Sequence, residues 1–186
     1  GRFHAVKSEV RSVNVNPALA WRIGDRLTLG AGFNAMRFDA ELSNAARLGP
    51  ATERFVTVEG DDWAYGWNIG ALWEVTAATR LGLAYRSSMT VKLKGDARFD
   101  GASALNAPVR SEIELPQSWS AALSHQLTPR LQILADWTRT GWDGIQDLVI
   151  TNANTGAALA TTALAFRDSW RAGIGANYQL NGAWKL

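Results

Sequence analysis

Long runs in which bulky apolar residues alternate with small or polar ones constrain the fold of this chain most. Between residues 62 and 74 the odd positions carry the large apolar side chains, and the even positions are mostly small or polar. A repeat of two is that of a β-strand whose two faces meet different surroundings. The pattern returns over residues 79–95 and 169–180. Helical spacing fits none of these runs, so we predict an all-β fold.

The alternation predicts seven long antiparallel strands, whereas strands of soluble proteins usually have about 5–6 residues. The predicted strands span residues 6–23, 27–42, 61–75, 79–95, 110–127, 131–149 and 163–180. Short turns at 24–26, 76–78, 128–130 and 181–182 alternate with longer loops at 43–60, 96–109 and 150–162. In an antiparallel meander all short turns then lie at one end and all long loops at the other, as in outer-membrane barrels.

The chain has nine tryptophans among 186 residues, more than a core of this size needs. Trp63 and Trp73 face the same way, and at ~3.3 Å per residue and a tilt of about 40° they are ~25 Å apart along a membrane normal. That is the height of the apolar band between the two aromatic girdles of such barrels. The predicted girdle residues are Trp21, Trp63, Tyr65, Trp67, Trp73 and Trp184. The alternative is a soluble β-sandwich with the aromatic face as its core.

Composition excludes several functions. The net charge is +2 and the sequence has no Lys/Arg cluster, so nothing in it indicates binding of nucleic acid. The absence of cysteine removes disulfides, thiolate metal sites and cysteine nucleophiles. Ser124 and His125 are adjacent and point to opposite faces of a strand, so we predict neither catalysis nor a cofactor. Asp61 and Asp62 lack the further carboxylates of a calcium loop, and we predict no metal.

Several segments together resemble a known family. They are Gly60-Asp61-Asp62-Trp63-Ala64-Tyr65-Gly66-Trp67-Asn68, Arg80-Leu81-Gly82-Leu83-Ala84-Tyr85-Arg86-Ser87, Asn16-Pro17-Ala18-Leu19-Ala20-Trp21, Glu114-Leu115-Pro116-Gln117-Ser118-Trp119, Asp136-Trp137-Thr138-Arg139-Thr140-Gly141-Trp142 and Phe166-Arg167-Asp168-Ser169-Trp170-Arg171. Their order and content resemble the FadL-type long-chain fatty acid outer-membrane transporters.

The resemblance implies a transmembrane β-barrel of about 14 strands, plugged by an N-terminal hatch. Residues 1–186 are similar to strands 4 to 10, so we expect a single segment of one barrel domain that forms an open, curved sheet. We expect no signal peptide within these residues, and the resemblance implies that the hatch and the flanking strands are absent from this segment. The implied location is the bacterial outer membrane, in contact with its lipid, and the implied full-length protein is a monomer.

The implied function is passive uptake of long-chain fatty acids or other hydrophobic molecules. Uptake of aromatic hydrocarbons and a general porin-type barrel are the alternatives. Arg86 and Arg171 are candidates for holding a carboxylate, because both lie inside long strands on the predicted inward face. The alternative is cross-strand pairing with Asp62, Glu112 or Glu114; Lys92 and Lys94 are also predicted inward. The apolar candidates in an external capture groove are Leu48, Phe55, Val56, Phe99 and Leu105, although Phe55 and Val56 are equally compatible with the start of the next strand.

Overall fold

The computed structural model describes residues 6–49, 52–182 and 184, without the side chains of residues 44, 46–49, 52 and 53. Its strands are β1 (Lys7–Val15), β2 (Ala18–Ile23), β3 (Leu27–Gly49), β4 (Thr52–Thr76), β5 (Thr79–Arg86), β6 (Met89–Phe99), β7 (Ala107–Leu115), β8 (Ser118–Thr128), β9 (Leu131–Thr140), β10 (Asp147–Asn152), β11 (Ala158–Ala163) and β12 (Ser169–Tyr178). Single 3₁₀ turns form at Ser103–Leu105 and Trp142–Gly144. Within this described part, no helix has the length and apolar character to cross a membrane.

The twelve strands form one antiparallel sheet of seven passes, where a pass is one traverse of the chain from end to end of the sheet. The passes are β1–β2, β3, β4, β5–β6, β7–β8, β9–β10 and β11–β12. Each pass pairs with the next one along the chain. The sheet is open, because no ladder among the described residues joins the first pass to the last. The predicted open antiparallel sheet is confirmed, and its seven predicted strands correspond to the seven passes, five of which are each divided into two strands.

The loop predicted at 43–60 is wrong. The hairpin of β3 and β4 keeps its ladder from Leu27 opposite Trp73 as far as Gly49 opposite Thr52. Small and polar residues in this stretch hide an alternation that continues, with Val56 and Val58 on one face and Thr57 and Glu59 on the other. The loops predicted at 96–109 and 150–162 are likewise shorter, since β6 ends at Phe99, β7 starts at Ala107 and β11 starts at Ala158.

Five passes break at one height, which we call the waist. The breaks lie at residues 16–17, 87–88, 116–117, 141–146 and 164–168. Pro17 and Pro116 have no N–H to give to a ladder, which favours an interruption there. The register aligns the breaks, because Arg86 pairs with Ser118, Ser118 with Thr140 and Thr140 with Ser169. The waist divides the sheet into a lower half at the short turns and an upper half at the loops.

We call the concave side of the curled sheet its inner face. The upper half curls around this side, so that Val10 of β1 and Ile150 of β10 line one cavity. In the lower half this face is small or polar. One cross-strand row runs Ala20, Gly30, Gly70, Ala84, Ser120, Thr138. The outer face there is apolar and exposed, with Leu19, Trp21, Leu29, Ile69, Leu83, Trp119, Trp137 and Ile174. This is the polarity of a membrane-spanning barrel wall.

In the upper half the polarity is reversed. The inner face carries a buried apolar cluster of Met36, Ala64, Met89, Val91 and Leu93. The outer face is charged, with Arg37, Asp61, Lys92, Lys94, Glu112 and Glu114 among its residues. A water-facing outside with an apolar inside is the polarity of a soluble fold. The upper half therefore extends above the lipid.

The predicted inward positions of Lys92, Lys94, Glu112 and Glu114 are wrong. Arg86 and Met89 both point inward although they are three residues apart, so the break at residues 87–88 shifts the alternation by one. The break at residues 116–117 does the same between Leu115 and Ser118. A shift of one residue exchanges the faces of everything beyond it.

Candidate ligand-binding site

An apolar cavity of about 150 Å³ lies inside the upper half. It is bounded by inward residues of six strands on both sides of the curled sheet. Its lining includes Val10, Phe38, Ala40, Leu42, Val58, Leu93, Val109, Ile113, Leu148 and Ile150. The arrangement gives a hydrophobic molecule a surface removed from water just above the membrane.

Glycines allow the strands beside the cavity to approach closely. Gly66 of β4 faces Met89, and a Cβ on Gly66 would lie 2.5 Å from Met89 Cγ. Higher up, Gly60 pairs with Gly95, where a Cβ on Gly95 would overlap the carbonyl oxygen of Glu59. The ladder between β4 and pass 4 is interrupted between Asn68 and Asp61. The side chains of Met89 and Val91 there pack over the inner face of β4.

Charged pairs cover the outer face of the upper half. Lys7 Nζ lies 2.6 Å from Glu41 Oε2 and 3.0 Å from Glu9 Oε2. The hydrogen bond to Glu41 is the main cause that raises the pKa of Lys7, and the hydrogen bond from Lys7 lowers the pKa of Glu9. Arg37 Nη2 lies 2.9 Å from Asp61 Oδ2. In each of these exposed pairs the two charges compensate one another.

A row of polar side chains crosses the inner face at the waist. Asn34 Oδ1 accepts hydrogen bonds from Asn16 Nδ2 at 2.6 Å and Asn14 Nδ2 at 3.3 Å. Asn68 follows on β4, opposite Gly32, and Arg86 lies opposite Asn68. The row runs along the foot of the apolar cluster, where the upper cavity meets the polar lower wall.

The two candidate arginines differ in their surroundings. Arg171 Nη2 donates to Asp136 Oδ1 at 3.3 Å, so its charge is balanced. Arg86 is exposed on the inner face, and neither an ion pair nor a hydrogen bond joins it to another described residue. Glu112 and Glu114 lie on the outer face, and Asp62 accepts the backbone N–H of Lys92 at 2.7 Å. The alternative pairing partners predicted for Arg86 and Arg171 therefore do not engage them.

The structure brings together two of the five apolar candidates. Val56 is buried on the inner face in a cluster with Ala97 and Val109, against which Phe99 packs. Phe55 belongs to β4 and is exposed on the outer face, while Leu105 is exposed in a 3₁₀ turn. The side chain of Leu48 lies outside the described residues. An external groove formed by all five remains a prediction.

Aromatic side chains form a row on the outer face at the waist, and sequence reasoning found only part of it. Tyr85 lies between Trp67 and Trp119, with ring centroids 5.1 Å and 4.5 Å away. Phe33 stacks on Tyr65 at 5.9 Å. All six predicted girdle residues are exposed. Phe33, Tyr85, Trp119 and Trp170 were missed, although each lies on an outward position of its pass at the height of the breaks.

A concavity of about 830 Å³ lies on the outer face of the lower half between Trp21, Leu83 and Trp119. It belongs to the lipid-facing surface and does not open into the interior.

His125 Nδ1 lies 2.9 Å from Thr79 Oγ1, and Ser124 Oγ accepts a hydrogen bond from Gln132 Nε2. The adjacent serine and histidine thus engage different partners.

These features define a segment of an outer-membrane β-barrel with an apolar interior above the lipid. Residues 1–186 match the family model described as outer membrane protein transport protein (OMPP1/FadL/TodX), and the chain belongs to this family. The predicted outer-membrane location is confirmed, because the family and several relatives are named for that membrane.

The chain is 24% identical over 220 residues to the long-chain fatty acid transport protein of Escherichia coli (strain K12), covering 95% of this chain and 49% of that protein. It is 27% identical over 160 residues to a 47 kDa outer membrane protein of Pasteurella multocida, covering 77% of this chain and 37% of that protein. The chain thus spans about half the length or less of these curated relatives.

Solved structures show the same fold. A Pseudomonas aeruginosa FadL homologue superposes with a TM-score of 0.86 at 23% identity, over 100% of this chain and 50% of that one. The Pseudomonas putida toluene transporter TodX superposes with a TM-score of 0.66 at 17% identity, over 94% of this chain and 53% of that one. The resemblance drawn from the sequence segments is confirmed.

Proposed function

We propose that this chain forms part of a channel for passive uptake of hydrophobic molecules across the outer membrane, with long-chain fatty acids as substrates. The observation that carries the proposal is the reversal of polarity at the waist. An apolar cavity lies above the lipid, and below this cavity the inward Arg86 has no ion pair or hydrogen bond with another described residue. Nothing in this arrangement supports catalysis, and we propose that the full-length protein acts as a monomer.

The two halves of the site suit the two ends of a fatty acid. Burial of apolar surface stabilises a bound tail by roughly 25 cal/mol per Å². A carboxylate head gains a charge-assisted hydrogen bond from a guanidinium. Arg86 suits this role better than Arg171, whose charge Asp136 already balances. Both remain proposed carboxylate partners.

Replacing Arg86 with glutamine in the full-length protein is expected to weaken dodecanoate binding about tenfold, or ~1.4 kcal/mol. The loss of one charge-assisted hydrogen bond is the cause. Binding measured by intrinsic tryptophan fluorescence reports the change. Dodecane affinity should not change, and Arg171→Gln should have the smaller effect on dodecanoate. Unchanged dodecanoate affinity in Arg86→Gln would remove this residue from the site.

Filling the cavity is expected to reduce uptake of both charged and neutral ligands. Ala40 lines the cavity, so Ala40→Phe places a ring where the ligand tail would lie. We expect uptake of labelled oleate into liposomes carrying the full-length protein to fall about tenfold, or ~1.4 kcal/mol in the barrier. Ala35→Phe, on the outer face of the same strand, is the matched control. Equal uptake by the two variants would show that the cavity is not on the path.

Aromatic hydrocarbon uptake is the second candidate function, because the similar TodX structure is named as a toluene transporter. Such a ligand would bind in the apolar cavity, and it has no charged group that Arg86 could bind. Toluene uptake that exceeds oleate uptake would favour this candidate. Equal permeation of a small sugar would instead indicate a general porin.

A further inference from the structure

Three exposed cations lie close together on the outer face of β6 and β7, above the waist. They are Lys92 and Lys94 of β6 and Arg110 of β7. Lys94 is directly opposite Arg110 in the ladder that joins the two strands. Like charges placed directly opposite each other on a sheet destabilise it. An anion bound to both side chains would remove this repulsion.

The neighbouring carboxylates of the described residues do not neutralise these cations. Asp61 is opposite Lys94 on the β4 side, but Arg37 Nη2 binds its carboxylate at 2.9 Å. Glu112 is opposite Lys92, yet no ion pair joins it to any residue that the structure describes. No described carboxylate lies within ion-pair distance of any of the three cations.

The guanidinium of Arg110 is oriented by a neutral group. Its Nε donates a hydrogen bond to Thr151 Oγ1 at 3.3 Å. The two Nη groups have no hydrogen-bond partner among the described residues and remain as donors. Guanidinium and ammonium groups are the side chains that bind phosphate oxygens in proteins.

Aromatic residues place this pair of cations at the level of the lipid head groups. Trp63 and Tyr65 are exposed on the outer face of β4, the strand beside β6. Asp61 of β4 pairs with Lys94, so Trp63 lies two residues below the level of Lys94. Tryptophan and tyrosine rings at a membrane surface lie among the lipid head groups. A phosphate of an adjacent lipid is therefore within reach of the long Lys94 and Arg110 side chains.

We propose that Lys94 and Arg110, with Lys92 beside them, bind the phosphate of an anionic lipid in the outer leaflet and hold this lipid against the barrel wall. The acyl chains of the lipid would extend down the exposed apolar surface toward Leu83 and Trp119, which belong to the same two passes below the waist. The site lies on the outer surface and is separate from the proposed uptake through the interior.

The test measures dissociation constants of lipid A with two phosphates and of the same lipid without phosphates. Native mass spectrometry of the full-length protein in detergent gives these constants for the first lipid bound. We expect Lys94→Gln/Arg110→Gln to weaken binding of the phosphorylated lipid at least about tenfold, because each removed cation contributes to attraction of anionic lipid. Binding of the phosphate-free lipid should change less than about twofold. Lys94→Arg keeps the charge and should keep the affinity.

The matched control is Arg26→Gln/Arg130→Gln, which removes two exposed cations at the short turns. Equal weakening by this control would mean that the lipid responds to overall charge, and the site would be wrong. Unchanged affinity in Lys94→Gln/Arg110→Gln would also overturn the proposal. Displacement of the lipid by inorganic phosphate at the same concentration would assign the cations to a free anion instead. Heat-modifiable migration on gels checks folding, and the two single variants decide if the double variant does not fold.

Discussion

Gly95→Ala is expected to prevent stable pairing of β4 with β6 and to lower the stability of the folded barrel by ~3 kcal/mol or more. A Cβ at residue 95 would overlap the carbonyl oxygen of Glu59, and its next neighbours are the carbonyl carbon of Glu59 and the Cα of Gly60. A backbone atom cannot move aside as the end of a flexible side chain can. The two strands must separate, and the apolar cluster on Val56 and Ala97 separates with them.

Urea-dependent unfolding of the full-length protein in lipid vesicles measures this loss, with heat-modifiable migration on gels as a check of folding. Gly175→Ala is the matched control, since a Cβ there meets no atom within 4 Å. An unfolding midpoint for Gly95→Ala equal to that of Gly175→Ala would contradict the close approach of β4 and β6.

Leu83→Arg is expected to destabilise the protein by ~2–4 kcal/mol, the cost of an arginine on the lipid face near the bilayer midplane. Leu83 is exposed on the outer face of β5, midway between the waist and the short turn at residues 77–78. Thr90→Arg places the same side chain on the outer face above the waist, opposite Glu114. Thr90→Arg should not measurably lower the free energy of unfolding, because that surface meets water. Equal destabilisation by the two arginines in lipid vesicles would mean that the waist is not the edge of the membrane.

The lower half of the sheet was predictable because its chemistry repeats without interruption. In β4, Trp67, Ile69 and Trp73 face outward and alternate with Asn68 and Gly70, which face the lumen. The upper half was harder to predict, because alternation alone does not show which face of a strand points inward. At Ser87 and Ser88 the chain shifts its phase by one residue, and the apolar set of Met89, Val91 and Leu93 passes from outer to inner face. Neither of these two serines predicts such a shift from the sequence.

The candidate site was predictable only in part, for the same reason. The inward position of Arg86 was predictable, because this residue lies below the break of its pass, where the alternation keeps its phase. The Asn34 and Asn68 amides were missed. They are adjacent only through the register of β3 on β4, and an isolated asparagine in a strand carries no signal of burial.

The reversal of polarity at the waist is tested most directly by spin labels attached to single cysteines, since the chain has none of its own. Labels at Ile69→Cys, Leu83→Cys, Lys92→Cys and Glu112→Cys of the full-length protein in lipid vesicles would be compared for collision with oxygen and with a water-soluble nickel complex. The account predicts that residues 69 and 83 collide mainly with oxygen, which partitions into lipid, and that residues 92 and 112 collide mainly with nickel. Lipid-type accessibility at residues 92 and 112 would contradict it.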